Sequence, residues 1–204
     1  MTAKRPVGRP RQFDDDAERR LIFDAAYIAL RDRSHDFTVA DILAVAGVST
    51  RSFYRHFESK DALLCAMYRR DAEWAAERLN KRLADVTSPV EAVTWWIAEI
   101  FGLVRNARRA ERVAVLGSIT GSRTDGAEVV AVEARQMLIE PLCAAIRAGA
   151  ETGEFTIGDP ISVADLVAAA VLHAAGLAVP HRNPDVHDQA TTTAFCLAAL
   201  GTRG

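Results

Sequence analysis

Residues 38–63, TVADILAVAGVSTRSFYRHFESKDAL, are the most informative run in the chain. Thr38 is placed to cap a short helix, because its hydroxyl can accept from the free backbone N–H groups of a first helical turn. Ile42, Leu43, Val45 and Ala46 give that helix an apolar side. Gly47 stops it, since glycine takes a left-handed backbone at no steric cost. Val48 tucks under the turn, and Ser49 reads as a second N-cap that opens a helix from Thr50 to about His56. Two short helices joined by a tight glycine turn make a helix-turn-helix, and its second helix has the size to enter a DNA major groove.

The second helix has two distinct sides. At roughly 100° per residue, Thr50, Arg51, Tyr54 and Arg55 fall within an arc of about 140°, and Phe53 lies outside it. One side offers hydroxyls and guanidinium groups, and the other offers an aromatic anchor for a core. Arg51 or Arg55 could donate two hydrogen bonds to a guanine edge, while Thr50, Ser52 and Tyr54 could reach phosphates, base edges or a thymine methyl. Lys60 follows Phe57-Glu58-Ser59 at the start of the next helix, where its ammonium would neutralise a phosphate. The competing reading is a merely solvated polar face on a small helical hairpin.

Ala46-Gly47-Val48-Ser49, followed by Phe53-Tyr54-Arg55-His56-Phe57 and Lys60, resembles the DNA-binding domain of the TetR family of transcriptional regulators. The resemblance implies an all-α fold of about nine helices that works as a homodimer. Three N-terminal helices and the start of a fourth would bind an operator half-site, and the remaining helices would form a variable ligand pocket and the dimer interface. Carried onto this chain, it places Thr50, Arg51, Ser52, Tyr54 and Arg55 at the groove and Thr38, His56 and Lys60 on phosphates, with Ser49 also among the DNA-binding residues. Two departures stand out. Arg33-Ser34-His35-Asp36-Phe37 replaces the glycine that family members often carry before Thr38, so Ser34 or His35 would have to close helix 1. Leu43 stands where alanine is common. Neither touches the DNA-facing residues.

Composition supports this outline. With 204 residues, half of them apolar, the chain is long enough for one or two domains with a real core. Abundant alanine and no sustained strand-like alternation favour an all-α protein. The net charge of −2 hides an asymmetry: residues 1–70 hold 13 Lys+Arg against 10 Asp+Glu, and residues 71–204 hold 12 against 17. A basic front on an acidic rear suits a DNA-contacting head on a soluble body. Cys65, Cys143 and Cys196 form no CxxC pair, which points to a reducing cytoplasm and buried thiols rather than a disulfide framework. The N-terminus is basic and proline-rich with no apolar stretch behind it, so no signal peptide is expected. Val163–Val179, the longest apolar run, contains Asp165 and His173 and is too short for a membrane span.

Three regions follow: a basic arm at 1–13, a helix-turn-helix domain at 14–61, and an effector-binding and dimerisation domain at 62–204. Pro6, Gly8 and Pro10 rule out a helix in the arm, which is expected to be flexible. Its Gly8-Arg9-Pro10-Arg11 resembles an AT-hook core, whose arginines would lie along a narrow minor groove. Helix 1 should run from the acidic Asp14-Asp15-Asp16 to about Arg33, with Leu21, Ile22, Ala25, Ala26, Ile28 and Ala29 on its apolar stripe. A long helix from Ser59 to about Leu83 would link head to body.

Pro89 starts the next helix, Val90 to about Asn106. A shorter helix is expected over 108–116 and a glycine-rich loop over 117–126. A long helix then spans about Ala127 to Thr152, kinked or locally broken at Pro141. Trp95, Trp96, Phe101, Met137 and Leu138 are the side chains expected around an apolar effector pocket, with ordinary core as the alternative. Asp159-Pro160 opens an alanine-rich helix from Ile161 to about Val179, and Pro184 begins the last, reaching about Leu200. These last two helices would make the homodimer seam. Two recognition helices roughly 34 Å apart would then ask for a near-palindromic double-stranded operator.

Other chemistries lack their residues. Gly117-Ser118-Ile119-Thr120-Gly121 has the wrong register for a GxSxG elbow, no HExxH appears, and no phosphate loop follows a strand. His173, His181 and His187 lack metal-ligand spacing. No catalytic group, cofactor or metal is therefore expected. The sequence points to a ligand-responsive transcriptional regulator, a repressor released by a small apolar effector. A non-specific architectural DNA binder, or an enzyme with a helix-turn-helix-like head, is the alternative.

Overall fold

The computed structural model describes residues 15–33, 36–105, 127–177 and 188–202. Among these residues every regular element is a helix, and there are eight: α1 (Asp15–Arg33), α2 (Val39–Ala46), α3 (Thr50–His56), α4 (Lys60–Leu83), α5 (Pro89–Arg105), α6 (Ala127–Thr152), α7 (Pro160–Ala174) and α8 (Gln189–Ala199). The chain divides into two compact units, residues 1–60 and residues 61–204.

In the first unit α1 packs on α2 and α3. Ile22, Phe23, Ala25, Ala26, Ala29 and Leu30 are its buried face. That stripe is rotated from the expected one: Ile28 is 37% exposed, and Phe23 and Leu30 take up the core side. The i, i+3, i+4, i+7 spacing from Ile22 to Ala29 explains the choice, because Ile28 falls off that line. Thr38 closes a capping box on α2. Its hydroxyl accepts from the Asp41 N–H at 3.3 Å, and the Asp41 carboxylate accepts from the Thr38 N–H at 2.8 Å. Gly47, at φ 66°, ends α2 as expected. Ser49 caps α3 by accepting from the Ser52 N–H at 3.1 Å. Phe53 is fully buried and Phe57 nearly so. The Phe57 ring meets Phe23 edge-on at 5.4 Å, and the Arg19 guanidinium covers both rings.

In the second unit α5 is central, packing against α6, α7 and α8. Val93, Trp96, Ile97 and Ile100 meet Leu142 and Ile146 of α6, Ala168 and Val171 of α7, and Cys196 of α8 in one core. Arg78 of α4 pairs with Glu99 of α5 at 2.9 Å, and the Arg82 guanidinium lies 3.9 Å from the Trp95 ring centre. The helix α6 runs through Pro141 without the expected break. Pro141 lacks the N–H that would bond the Met137 carbonyl. Next to that gap, the buried Trp96 indole N–H donates to the Leu138 carbonyl at 2.7 Å. The helix packs against both α5 and α7.

The helix α7 stops at Ala174, short of the expected Val179, because Gly176 turns left-handed at φ 76° and the Leu177 N–H closes onto the Leu172 carbonyl at 2.9 Å. The N-terminal arm, the 108–116 helix, the 117–126 loop and the proposed start at Pro184 lie outside the described residues. Among the described residues no helix is long and apolar enough to cross a membrane.

Candidate nucleic-acid interface

The helix α3 has seven residues, too few to persist alone in water, so its register depends on what moors it. Phe53 is the mooring, at 0% exposure, with Phe57 beside it just past the helix end. The opposite side is open. Thr50, Arg51 and Arg55 are exposed, and Tyr54 is 54% exposed. These four make one polar face of hydroxyls and guanidinium groups. Ser49 is exposed at its head, with its side-chain oxygen engaged in the cap.

Two residues expected at the DNA turn inward instead. Ser52 is buried, and its hydroxyl donates to the Glu18 carboxylate of α1. The His56 side chain is only 8% exposed, with Nε2 3.4 Å from the same Glu18 oxygen. Positions 52 and 56 are one helical turn apart, on the flank that faces α1. Thr38 is exposed, but its hydroxyl is committed to Asp41 at 2.7 Å. Lys60 donates to the Phe37 carbonyl at 2.9 Å, and its ammonium lies 4.9 Å from the Phe37 ring centre. Arg9 and Arg11 lie outside the described residues.

Glu18 is a site residue that no sequence pattern marks. It accepts from Ser52 and from Arg55 Nη2, and Asp15 Oδ1 lies 3.1 Å from that same Nη2. The Ser52 hydroxyl holds the Glu18 carboxyl below its usual range; burial opposes this, and His56 and Arg55 add to the lowering. The acidic start of α1 reads in sequence only as a complement to the helix dipole, and no local spacing links residue 18 to residue 52. Asp15, Glu18 and His56 also bring potential metal-ligand atoms within 4.8 Å of one another. The Arg55 guanidinium already supplies the positive charge there, so a metal ion would have to displace it.

Of the residues expected around an effector, three belong to one packed core of the second unit. Trp96 and Phe101 are buried in its core, and Leu138 packs against that core. Met137 is half-buried, and so is Trp95, whose indole donates to Glu91 at 3.2 Å. Cys143 and Cys196 are buried free thiols, and Cys65 is a half-buried one. Burial pushes the Cys65 and Cys196 thiols up, away from reactive thiolates.

A three-helix head with a capped, aromatic-moored third helix, followed by an all-α unit, has the helix-turn-helix arrangement of DNA-binding heads. Residues 22–67 match the family model for bacterial regulatory proteins of the tetR family. No curated protein matches the chain. Among solved structures, a TetR transcription regulator from Haloarcula marismortui ATCC 43049 is similar at 20% identity and TM-score 0.74, covering 91% of this chain and 97% of that one. A TetR-family regulator from Agrobacterium tumefaciens is 24% identical, with TM-score 0.65 and coverage of 93% and 100%. The regulator FadR from Bacillus subtilis, solved with stearoyl-CoA, is 18% identical, with TM-score 0.70 and coverage of 89% and 96%. Residues 22–67 are thus similar to the TetR-family DNA-binding domain, and the chain as a whole has the fold of these solved regulators.

Proposed function

We propose that the chain is a cytoplasmic, non-enzymatic repressor that binds a near-palindromic operator as a homodimer and is released by a small apolar effector. The observation that carries this reading is the division of α3, with Phe53 fully buried while Arg51 and Tyr54 on the same short helix stand exposed. Thr50, Arg51, Tyr54 and Arg55 read the major groove. Thr38, Ser49 and Lys60 lie at its phosphate margins, and Arg9 and Arg11 follow the adjacent minor groove. Ser52 and His56 support α3 from behind.

The effector is assigned to the second unit around Trp95, Trp96, Phe101, Met137 and Leu138. Proteins of this fold bind stearoyl-CoA, resorcinol and choline, which supports a small-molecule effector here. An effector releases DNA only to the extent that it prefers the non-binding arrangement, and a tenfold preference corresponds to about 1.4 kcal/mol. The unbroken α4, from Lys60 to Leu83, is the element through which that preference would reach the head.

The test is an Arg51→Ala variant titrated against duplexes that the wild-type chain selects from a random library. A base-reading Arg51 predicts a loss of roughly 1–3 kcal/mol and relaxed preference at one position per half-site. An unchanged sequence preference removes Arg51 from the readout.

A further inference from the structure

Three side chains of α3 converge on one oxygen of α1: Ser52, Arg55 and His56 all meet Glu18 Oε2. Positions 52, 55 and 56 share one helical flank, so a single carboxylate can gather them. The junction is sheltered, with the Glu18 side chain 13% exposed and His56 8% exposed, whereas Arg55 remains 51% exposed. Asp15 brings a second carboxylate to the same Arg55 nitrogen.

A guanidinium is a rigid planar fork, so fixing it at Nη2 fixes the directions of its other donors. A loosely held arginine on this surface would instead swing to whichever phosphate lies nearest, adding affinity without sequence information. The negative charge of Glu18 also repels phosphates and weakens such contacts with any duplex.

We propose that Glu18 is a specificity-determining positioning residue: it fixes Arg55 in one orientation toward DNA and withholds it from indiscriminate phosphate contact. The inference rests on the reading of α3 as the DNA-contacting helix.

The experiment uses the full chain and compares affinity for a duplex that the wild type selects from a random library with affinity for random duplex of equal length, at fixed salt. Glu18→Gln keeps the shape and removes the charge. The ratio of the two affinities is expected to fall roughly tenfold, with binding to random duplex tightening. In an Arg55→Ala background the same substitution is expected to leave the ratio where Arg55→Ala alone puts it.

An unchanged ratio in Glu18→Gln overturns the proposal. So does an equal fall with and without Arg55, which would mark Glu18 as a mere support of the fold. Should Glu18→Gln not fold, Glu18→Asp carries the test, because the shortened side chain keeps the charge but draws the carboxylate back from Arg55. A tenfold fall in the ratio upholds the proposal, and a wild-type ratio overturns it. A wild-type chain that selects no duplex at all overturns the reading of α3 and this inference together.

Discussion

At the scale of single residues, Glu18 joins α1 to three side chains of α3. Its carboxyl is held below the ordinary value of 4.5, first by the Ser52 hydroxyl and then by His56 and Arg55, against the opposing effect of burial. A carboxylate with a lowered folded-state pKa stabilises the fold above its unfolded-state pKa, and that contribution is lost as pH falls through the folded value. Thermal melts followed by circular dichroism from pH 7 to pH 3 should therefore show a shallower loss of stability below about pH 4.5 in Glu18→Gln than in the wild type. Identical slopes would mean that the contacts to Glu18 do not persist in solution. Neither Glu18 nor Asp15 could be singled out from sequence, because their partners lie a whole helix and a turn away. Arg51, Phe53 and Tyr54 could be placed, because one short helix and its 100° step separate inside from outside.

At the scale of elements, the starts and stops written in single residues were legible. Thr38, Gly47, Ser49 and Asp159 each act where the chemistry of a cap or a left-handed turn places them. What depended on a neighbour was not. Pro141 is buried inside α6, which packs on α5 and α7, and α1 turned its stripe to suit α2 and α3.

Gly149 is a further case. A helix-interior glycine is usually improved by alanine. Here an added Cβ would sit 2.1 Å from the Phe155 ring, which folds back over the end of α6 and is itself buried. Gly149→Ala is therefore expected to destabilise the chain by roughly 1–3 kcal/mol in chemical denaturation. A neutral or stabilising result would mean that the ring moves aside freely.

At the scale of the whole molecule, the last two helices carry apolar side chains that a monomer leaves in water. Ile161 and Leu166 on α7 and Phe195 on α8 are between 58% and 71% exposed. Large exposed apolar groups on paired helices suit a self-complementary interface with two-fold symmetry. Leu166→Glu is expected to halve the mass measured by sedimentation, and to lower operator affinity because two heads no longer bind as one. A dimer that survives Leu166→Glu would place the interface elsewhere. The all-α class was legible from alanine content and the lack of sustained strand-like alternation. The partners of each face were not, since they depend on contacts between helices far apart in sequence.

The central claim is that the outward face of α3 reads DNA from two symmetric copies. It is tested most directly by sequencing the duplexes that the purified full-length chain retains from a random library. The account predicts an inverted repeat with half-site centres about one helical turn, 10–10.5 base pairs, or a multiple of it apart, with base preference lost at matching positions of both halves in Arg51→Ala. Retained duplexes with no common sequence, or an inverted repeat that Arg51→Ala, Tyr54→Ala and Arg55→Ala all leave unchanged, would contradict it.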